Sequence, residues 1–357
     1  MANTTDPLGV RVVEWARDHQ LGGLVDAIER TWYSHHQPPV GGTPRGGIPR
    51  APRLAVAPRR HTVRAVLAPS HTTDTRPPNI PPLAVPPLPG EGVWQPSGRT
   101  VNGRPALWIT YLRPDALHTS LLAGVARLDM SHLRATLHAG TVVPGGGPWQ
   151  HGAQIAAADY PNVVATFNSA FRLDNSQGGY YAEGRTVQAL QADRASFVAY
   201  ADGHVDVGLW GRDDAMTPAV ISVRQNLGLI VDNGAVVPGL DDANNALWGG
   251  TVGNHVYVWR SGVGVDVHGN LVYAGGPGLN VATLAEILRR AGCVRAMELD
   301  INTWWVSFNI YTHDAGGALQ DANLLPSMVR PPGRYLSAST RDFIEIDTRS
   351  RGRAIAP

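Results

Sequence analysis

Glu298 and Asp300 are the residues whose type and spacing most invite chemistry. The run from Val294 to Leu299 is too short for a helix and suits a buried strand. Side chains alternate across a strand, so Met297 and Leu299 face one layer while Glu298 and Asp300 share the other face. Two strand positions span roughly 6.6–6.8 Å, which brings both carboxyls within reach of one small ligand. Two acids on an otherwise apolar strand are costly unless they are paired or used. Two readings are open: acid–base work on a substrate, or plain structure. In the structural reading one acid ion-pairs with an Arg and the other caps the turn at Ile301-Asn302.

The elements that position this pair are legible on either side of it. Asn280 suits an N-cap, and Leu284, Ile287, Leu288 and Ala291 recur at helical spacing. Gly292 stands where a left-handed C-cap residue belongs. Cys293, in the turn between helix and strand, is the only cysteine. No intrachain disulfide can form, and Cys293 reads as a small core residue. Short β-branched and aromatic runs predict strands within 94–112, 126–137, 141–143, 163–167, 195–200, 204–209, 219–224, 227–231, 255–260, 264–267 and 270–273. Turn signals at Asn102-Gly103, Asp202-Gly203, Asn233-Gly234 and His268-Gly269-Asn270 join several of them into hairpins. Many hairpins and few helices predict an α+β domain built on largely antiparallel or mixed sheet.

The 357 residues are 43% hydrophobic and 17% charged, enough for one large domain or two modest ones. All 30 basic residues are arginine, and the formal net charge is +1, so no bulk attraction to nucleic acid or to a membrane surface is expected. Residues 1–35 read as a helical segment, with Asp6 as cap, Pro7 in the first turn, and an apolar stripe of Leu21, Leu24, Val25, Ile28 and Trp32. Residues 36–91 are rich in Pro, Gly and Arg and must be extended. Leu54, Val56, Val63, Val66 and Leu67 would let that segment lie along the domain surface. Residues 92–357 form the globular body. No span is long and apolar enough for a transmembrane helix, and Met1 to Pro7 lack the basic-then-apolar pattern of an export signal.

Common chemical motifs are missing. Gly145-Gly146-Gly147 and Gly249-Gly250 fit no nucleotide-cradling pattern, and the sequence holds no H-E-x-x-H, no Cys cluster and no G-x-S-x-G. Asn168 and Arg172 follow a buried strand and would emerge at its end, where Asn168 either binds a sugar hydroxyl or caps the turn. Asp174 and Glu183 flank the loop Gly178-Gly179-Tyr180-Tyr181, whose aromatics could stack on a sugar. Arg224, Asn226 and Arg260 come from strands predicted to be adjacent. An Arg fork suits a phosphate or a carboxylate, including those of Glu298 and Asp300. Trp248, Trp304 and Trp305 could form a sugar platform or simply fill the core. No cofactor is expected. Glu298, Asp300 and Asn302 could offer oxygens to Ca²⁺ or Mg²⁺, but three are few for an ion that usually takes six or more.

Three segments, in order, resemble the phosphodiester glycosidase family. The first is Val164-Ala165-Thr166-Phe167-Asn168-Ser169-Ala170-Phe171. The second is Arg260-Ser261-Gly262-Val263-Gly264-Val265 with the turn at His268-Gly269-Asn270. The third is the Gly-led helix followed by Met297-Glu298-Leu299-Asp300. Asp300 falls on the family's Asp, while Ile301-Asn302 replace its glycines and Glu298 stands where an Asn is common. The sequence is also similar to actinobacterial exported proteins that share the Glu-Leu-Asp-Ile-Asn variant and the Pro-rich leader. The resemblance implies a hydrolase acting on a glycosidic bond, with a carbohydrate or glycophosphate substrate. Glu298 and Asp300 would do the acid–base work, and Arg224 and Arg260 would orient an anionic group. It further implies a cell-envelope location, with membrane attachment only through an anchor absent from this chain.

Overall fold

A computed structural model describes residues 37–52, 76–240, 242–249 and 255–349. The helix expected within residues 1–35, and the apolar positions Leu54, Val56, Val63, Val66 and Leu67, lie outside the described residues. Short alternating strands closed by tight turns build three antiparallel sheets. Asn102 and Gly103, at φ 50° and 82°, turn β1 (Gln95–Val101) into β2 (Arg104–Leu112). Asn233 and Gly234, at φ 49° and 73°, do the same between β11 (Leu229–Asp232) and β12 (Ala235–Val236). Paired positive φ values match the right-handed twist of the flanking strands, which is why Asn-Gly marks a hairpin.

The largest sheet has eight strands, completed by β3 (Ala123–Leu128), β13 (Val258–Asp266), β14 (Leu271–Leu279) and β15 (Cys293–Ile301). Its order is β1-β2-β3-β14-β13-β15-β11-β12. A five-stranded sheet runs β7 (Arg185–Gln188), β6 (Tyr180–Ala182), β10 (Val220–Gln225), β8 (Ala195–Tyr200), β9 (Val205–Leu209). A second five-stranded sheet runs β17 (Leu319–Asn323), β16 (Phe308–His313), β5 (Val163–Asn168), β18 (Phe343–Thr348), β4 (Leu133–His138). Two α-helices join them among the described residues, α1 (Leu173–Ser176) and α2 (Val281–Arg290).

The sheets close on one continuous core. Phe167, Phe197, Tyr273, Met297, Leu299 and Phe308 meet there, with Phe167 and Phe308 stacked at 6.0 Å between ring centres. On the opposite face of the large sheet, α2 buries Leu284, Ala285, Ile287 and Leu288 against Ile230, Val272, Ala274 and Ala296. Asn280 caps α2, its Oδ1 accepting from Thr283 N at 2.8 Å. Gly292 follows at φ 100°, the left-handed exit that the sequence predicted. Cys293 begins β15 instead of sitting in the turn, and it is buried.

The described part of the Pro-rich segment lies against this body. Trp94 Nε1 donates to Pro78 O, Gln95 Nε2 donates to Pro49 O, and Ile80 and Ala84 are buried. One expected strand is corrected. Residues 141–143 are a turn between Gly140 and Pro144, where the proline and the glycines after it stop a ladder. The backbone N–H groups of Thr141, Val142 and Val143 instead bond Ser339 O and Thr340 O at 3.0 Å. That docking holds the loop that carries Arg341 and Asp342.

Candidate active site at converging strand ends

Contacts between strand ends bring three sheets to one edge, through Asp300 N on Ser169 O, Asn226 Nδ2 on Glu298 O and Arg224 on Asp342. Phe343 pairs with Asn168, Phe308 with Phe167, and Arg260 with Ile301. The last residues of β5, β10 and β15 therefore meet the first residues of β13, β16 and β18. Three guanidinium–carboxylate pairs are buried here, and none joins residues adjacent in sequence.

Glu298 pairs with Arg260: Nη1 donates to Oε1 at 2.6 Å, and both side chains are 0% exposed. The Arg260 fork is otherwise spent on its own chain. Nε donates to Leu279 O, Nη1 to Trp248 O, and Nη2 to Asn245 Oδ1 and Val256 O. Glu298 Oε2 has no partner among the described residues. Burial pushes the Glu298 carboxyl up to about 7; Arg260 opposes the rise and Asp300 adds to it.

Asp300 is held differently. Its Oδ1 accepts from Ile301 N at 2.8 Å and its Oδ2 from Arg341 Nη2 at 2.7 Å. Burial raises this carboxyl as well, against the pull of Arg341 and the Ile301 N–H. Arg341 also donates to Ala170 O and lies 4.9 Å from the Trp305 ring centre. At 9% and 10% exposure, the Asp300 and Arg341 side chains reach closer to solvent than Glu298 and Arg260 do. The third pair is Arg224 with Asp342, Nε to Oδ2 at 2.7 Å. Arg224 also donates to Gln225 O and Phe171 O.

Met297 and Leu299 both enter the central core, as strand alternation predicts, while the ladder beside them is irregular. Gly262 pairs with Glu298 and Arg260 with Ile301, so β15 spends one residue more than β13 over this stretch. A bulge lies within this stretch, and each acid takes its own arginine, Glu298 that of Arg260 and Asp300 that of Arg341. The structural reading of the pair is thus realised in part: Glu298 bonds an Arg, and Asp300 accepts the N–H of its own turn. Arg224 and Arg260, expected to orient an anion, are committed to internal carboxylates and carbonyls.

Other expected residues fall inside and outside this cluster. Asn226 Nδ2 donates to Glu298 O at 2.8 Å, while its Oδ1 has no partner among the described residues. Asn168 pins the strand ends. Its Nδ2 donates to Ser169 O and Ser261 Oγ, and its Oδ1 accepts from Ser307 N and the Tyr273 hydroxyl. With all four bonds internal, Asn168 has no capacity left for a sugar. Tyr180 is buried with its hydroxyl unpartnered, its ring 5.9 Å from the Arg224 guanidinium, so it is a wall residue and not an exposed platform. Trp248 is partly buried and donates to Gly239 O.

Asn302 sits at φ 145°, a left-handed conformation that suits the glycine it replaces, and its Oδ1 accepts from Trp304 N. Trp304 is partly buried, and its carbonyl accepts from Arg334. Three residues lie away from the cluster. Arg172 and Asp174 pair with each other at 3.6 Å on the surface at the start of α1. Glu183 turns at φ 52° in the β6–β7 hairpin and accepts from Gln150 N and His151 N at 2.8 and 2.7 Å. A tight hairpin sends that side chain outward, which the glycine-rich loop alone did not reveal.

No group of three or more His, Cys, Asp or Glu side chains could hold a metal among the described residues. The Glu298 and Asp300 oxygens that would serve Ca²⁺ or Mg²⁺ already accept from guanidiniums, so a divalent cation would meet positive charge there. This donor set does not fit such an ion. Arg341, Asp342 and Arg334 were missed because they lie beyond the segments with recognisable motifs. A run of Arg and Asp immediately before a β-branched strand was the only available signal.

The sequence model of the phosphodiester glycosidase family matches residues 155–300. No curated protein matches the chain. Among solved structures, the chain is similar to the catalytic domain of zebrafish N-acetylglucosamine-1-phosphodiester α-N-acetylglucosaminidase, auto-inhibited by its pro-peptide. That match has 17% identity and a TM-score of 0.41, covering 72% of this chain and 88% of that one. A hypothetical protein from Synechocystis is similar at 13% identity and a TM-score of 0.37, covering 71% of this chain and 64% of that one. The matched residues contribute Asn168, Arg224, Asn226, Arg260, Glu298 and Asp300 to the buried cluster, and over residues 155–300 the chain is similar to the phosphodiester glycosidase family.

Proposed function

We propose that this protein is a hydrolase that cleaves a glycosidic bond, with a sugar-1-phosphodiester as its substrate class. One observation carries the reading: two carboxyls near one strand end are held in unlike environments. Glu298 sits near pH 7 with a free oxygen, and Asp300 is gripped by Arg341 and a backbone N–H. Carboxyls in unlike surroundings are how one site runs acid and base chemistry at the same pH. Asp300 is the carboxylate that meets the anomeric carbon or the attacking water, and Glu298 is the proton store behind it. The phosphomonoester released from such a substrate leaves as a weakly basic anion and needs positive charge more than a proton. The guanidiniums of Arg224, Arg260, Arg334 and Arg341 against the carboxyls of Glu298, Asp300 and Asp342 supply that excess. The resemblance to exported proteins points to cell-envelope glycans as the source of the sugar.

The test is kcat/KM of wild type, Asp300→Asn and Glu298→Gln on a synthetic sugar-1-phosphodiester and on a neutral aryl glycoside of the same sugar. Positioned acid–base groups supply about 10²–10⁴-fold. Losses under about tenfold in both variants would overturn these roles. Better turnover of the neutral glycoside would move the substrate to an ordinary glycan. A second reading, a glycan-binding module without turnover, is favoured by one contact. Ile301 packs with Phe171, Val258 and Leu227, giving bulk where the family has glycine. Binding to wall polysaccharide with no product after long incubation would select it.

A further inference from the structure

We infer that Arg334 and Arg341, grouped at the Trp305 ring, form the subsite for a phosphoryl oxyanion. This deepens the reading above and rests on it for the identity of the substrate. The two guanidinium carbons lie 5.5 and 4.9 Å from the Trp305 ring centre. Arg334 is 3% exposed, yet no carboxylate pairs with it among the described residues. Its Nη1 makes only long contacts of 3.4 Å to Trp304 O, Trp305 O and Ser307 Oγ, and its Nε–H has no acceptor. The Arg341 Nε–H, also buried, likewise has none.

A buried guanidinium without an anion is costly, because carbonyls replace only part of its hydration. Three other buried arginines meet acids: Arg113 pairs with Glu91, Arg224 with Asp342, and Arg260 with Glu298. Arg334 departs from that pattern, and it shares the Trp305 ring with Arg341, which holds Asp300. Two N–H donors without acceptors, on two cations at one ring, suit a tetrahedral oxyanion, which accepts from several donors at once. Placed there, a phosphoryl group would share Arg341 with Asp300. Arg224 and Arg260 cannot take this role, since their donors are already used. Trp305 and the Pro331-Pro332-Gly333 turn before Arg334 form the frame of the subsite, and the turn is closed by Arg334 N bonding Pro331 O at 3.1 Å.

Inorganic phosphate is the probe, titrated by calorimetry into wild type, Arg334→Gln and Arg334→Lys at constant ionic strength. In parallel, kcat and KM are measured on the phosphodiester and on the neutral aryl glycoside. Wild type should bind phosphate, and its thermal midpoint should rise in phosphate over chloride of equal ionic strength. Arg334→Gln should weaken phosphate by roughly tenfold or more, the scale of one charge-assisted hydrogen bond. It should raise KM for the phosphodiester similarly, while leaving the neutral glycoside within about threefold. Arg334→Lys should recover part of the binding as a point charge without the fork. No phosphate binding to wild type, equal binding by Arg334→Gln, or equal losses on both substrates would each overturn the inference. If Arg334→Gln does not fold, the wild-type titration and midpoint decide. A protein that binds phosphate through Arg334 but cleaves neither substrate would defeat the hydrolase reading and leave this subsite standing.

Discussion

Replacing Glu298 by Gln should change how stability depends on pH, in a direction set by its burial. The Glu298 carboxyl rises from its ordinary 4.5 to about 7 in the folded protein. At about 1.4 kcal/mol per unit, that amounts to about 3 kcal/mol of preference for the protonated form on folding. The folded state therefore holds a proton that the unfolded chain releases, and stability falls as pH climbs from about 4.5 toward 7. Above the folded value the penalty is constant. Gln keeps a carbonyl oxygen for Arg260 Nη1 and cannot ionise, so the variant escapes the penalty. Urea unfolding of both proteins at pH 5, 6, 7 and 8 provides the assay. The difference in unfolding free energy should shift in favour of Glu298→Gln by about 2–3 kcal/mol between pH 5 and pH 8. Other raised carboxyls, such as Asp214 and Asp347, both at about 6, are common to both proteins and cancel. A pH-independent difference, or one that favours wild type as pH rises, would refute the account of Glu298.

Other expectations follow from single contacts. Arg224→Met leaves Asp342 buried without its cation and should lose about 3–5 kcal/mol in denaturant unfolding, with Arg224→Met/Asp342→Leu regaining at least half. Asn302→Gly should match or exceed wild-type stability by up to about 1 kcal/mol, because φ 145° suits glycine, while Asn302→Val should lose about 1–3 kcal/mol. Gly249→Ala should lose about 1–3 kcal/mol in the same assay. Its Cβ would stand 2.6 Å from Phe171 Cζ and 2.8 Å from Ile301 Cδ1, at φ 101°.

What was legible in the sequence was local. Asn280, the Leu284–Leu288 stripe and Gly292 announced α2 and the start of β15, and Asn-Gly pairs announced their hairpins, because each signal acts over a few residues. The acids Glu298 and Asp300 stood out as charges on an apolar strand. Their partners did not, since Arg341 meets Asp300 across 41 positions and Arg224 meets Asp342 across 118. Nothing in the spacing of one strand specifies which loop of another sheet will arrive beside it. The same limit misplaced Glu183, whose hairpin turn looked like a sugar-binding loop until its carboxylate was seen bonding the backbone of Gln150 and His151. It also hid the bulge opposite Ser261, which depends on how β13 and β15 register and not on either sequence alone.

The most direct test of the hydrolase reading is to turn over a sugar-1-phosphodiester in ¹⁸O-labelled water and find where the label goes. Cleavage of the glycosidic bond at the Asp300 site predicts ¹⁸O in the released sugar, an unlabelled phosphomonoester, and loss of both products in Asp300→Asn. Label in the phosphate, or product release that survives Asp300→Asn, would contradict it.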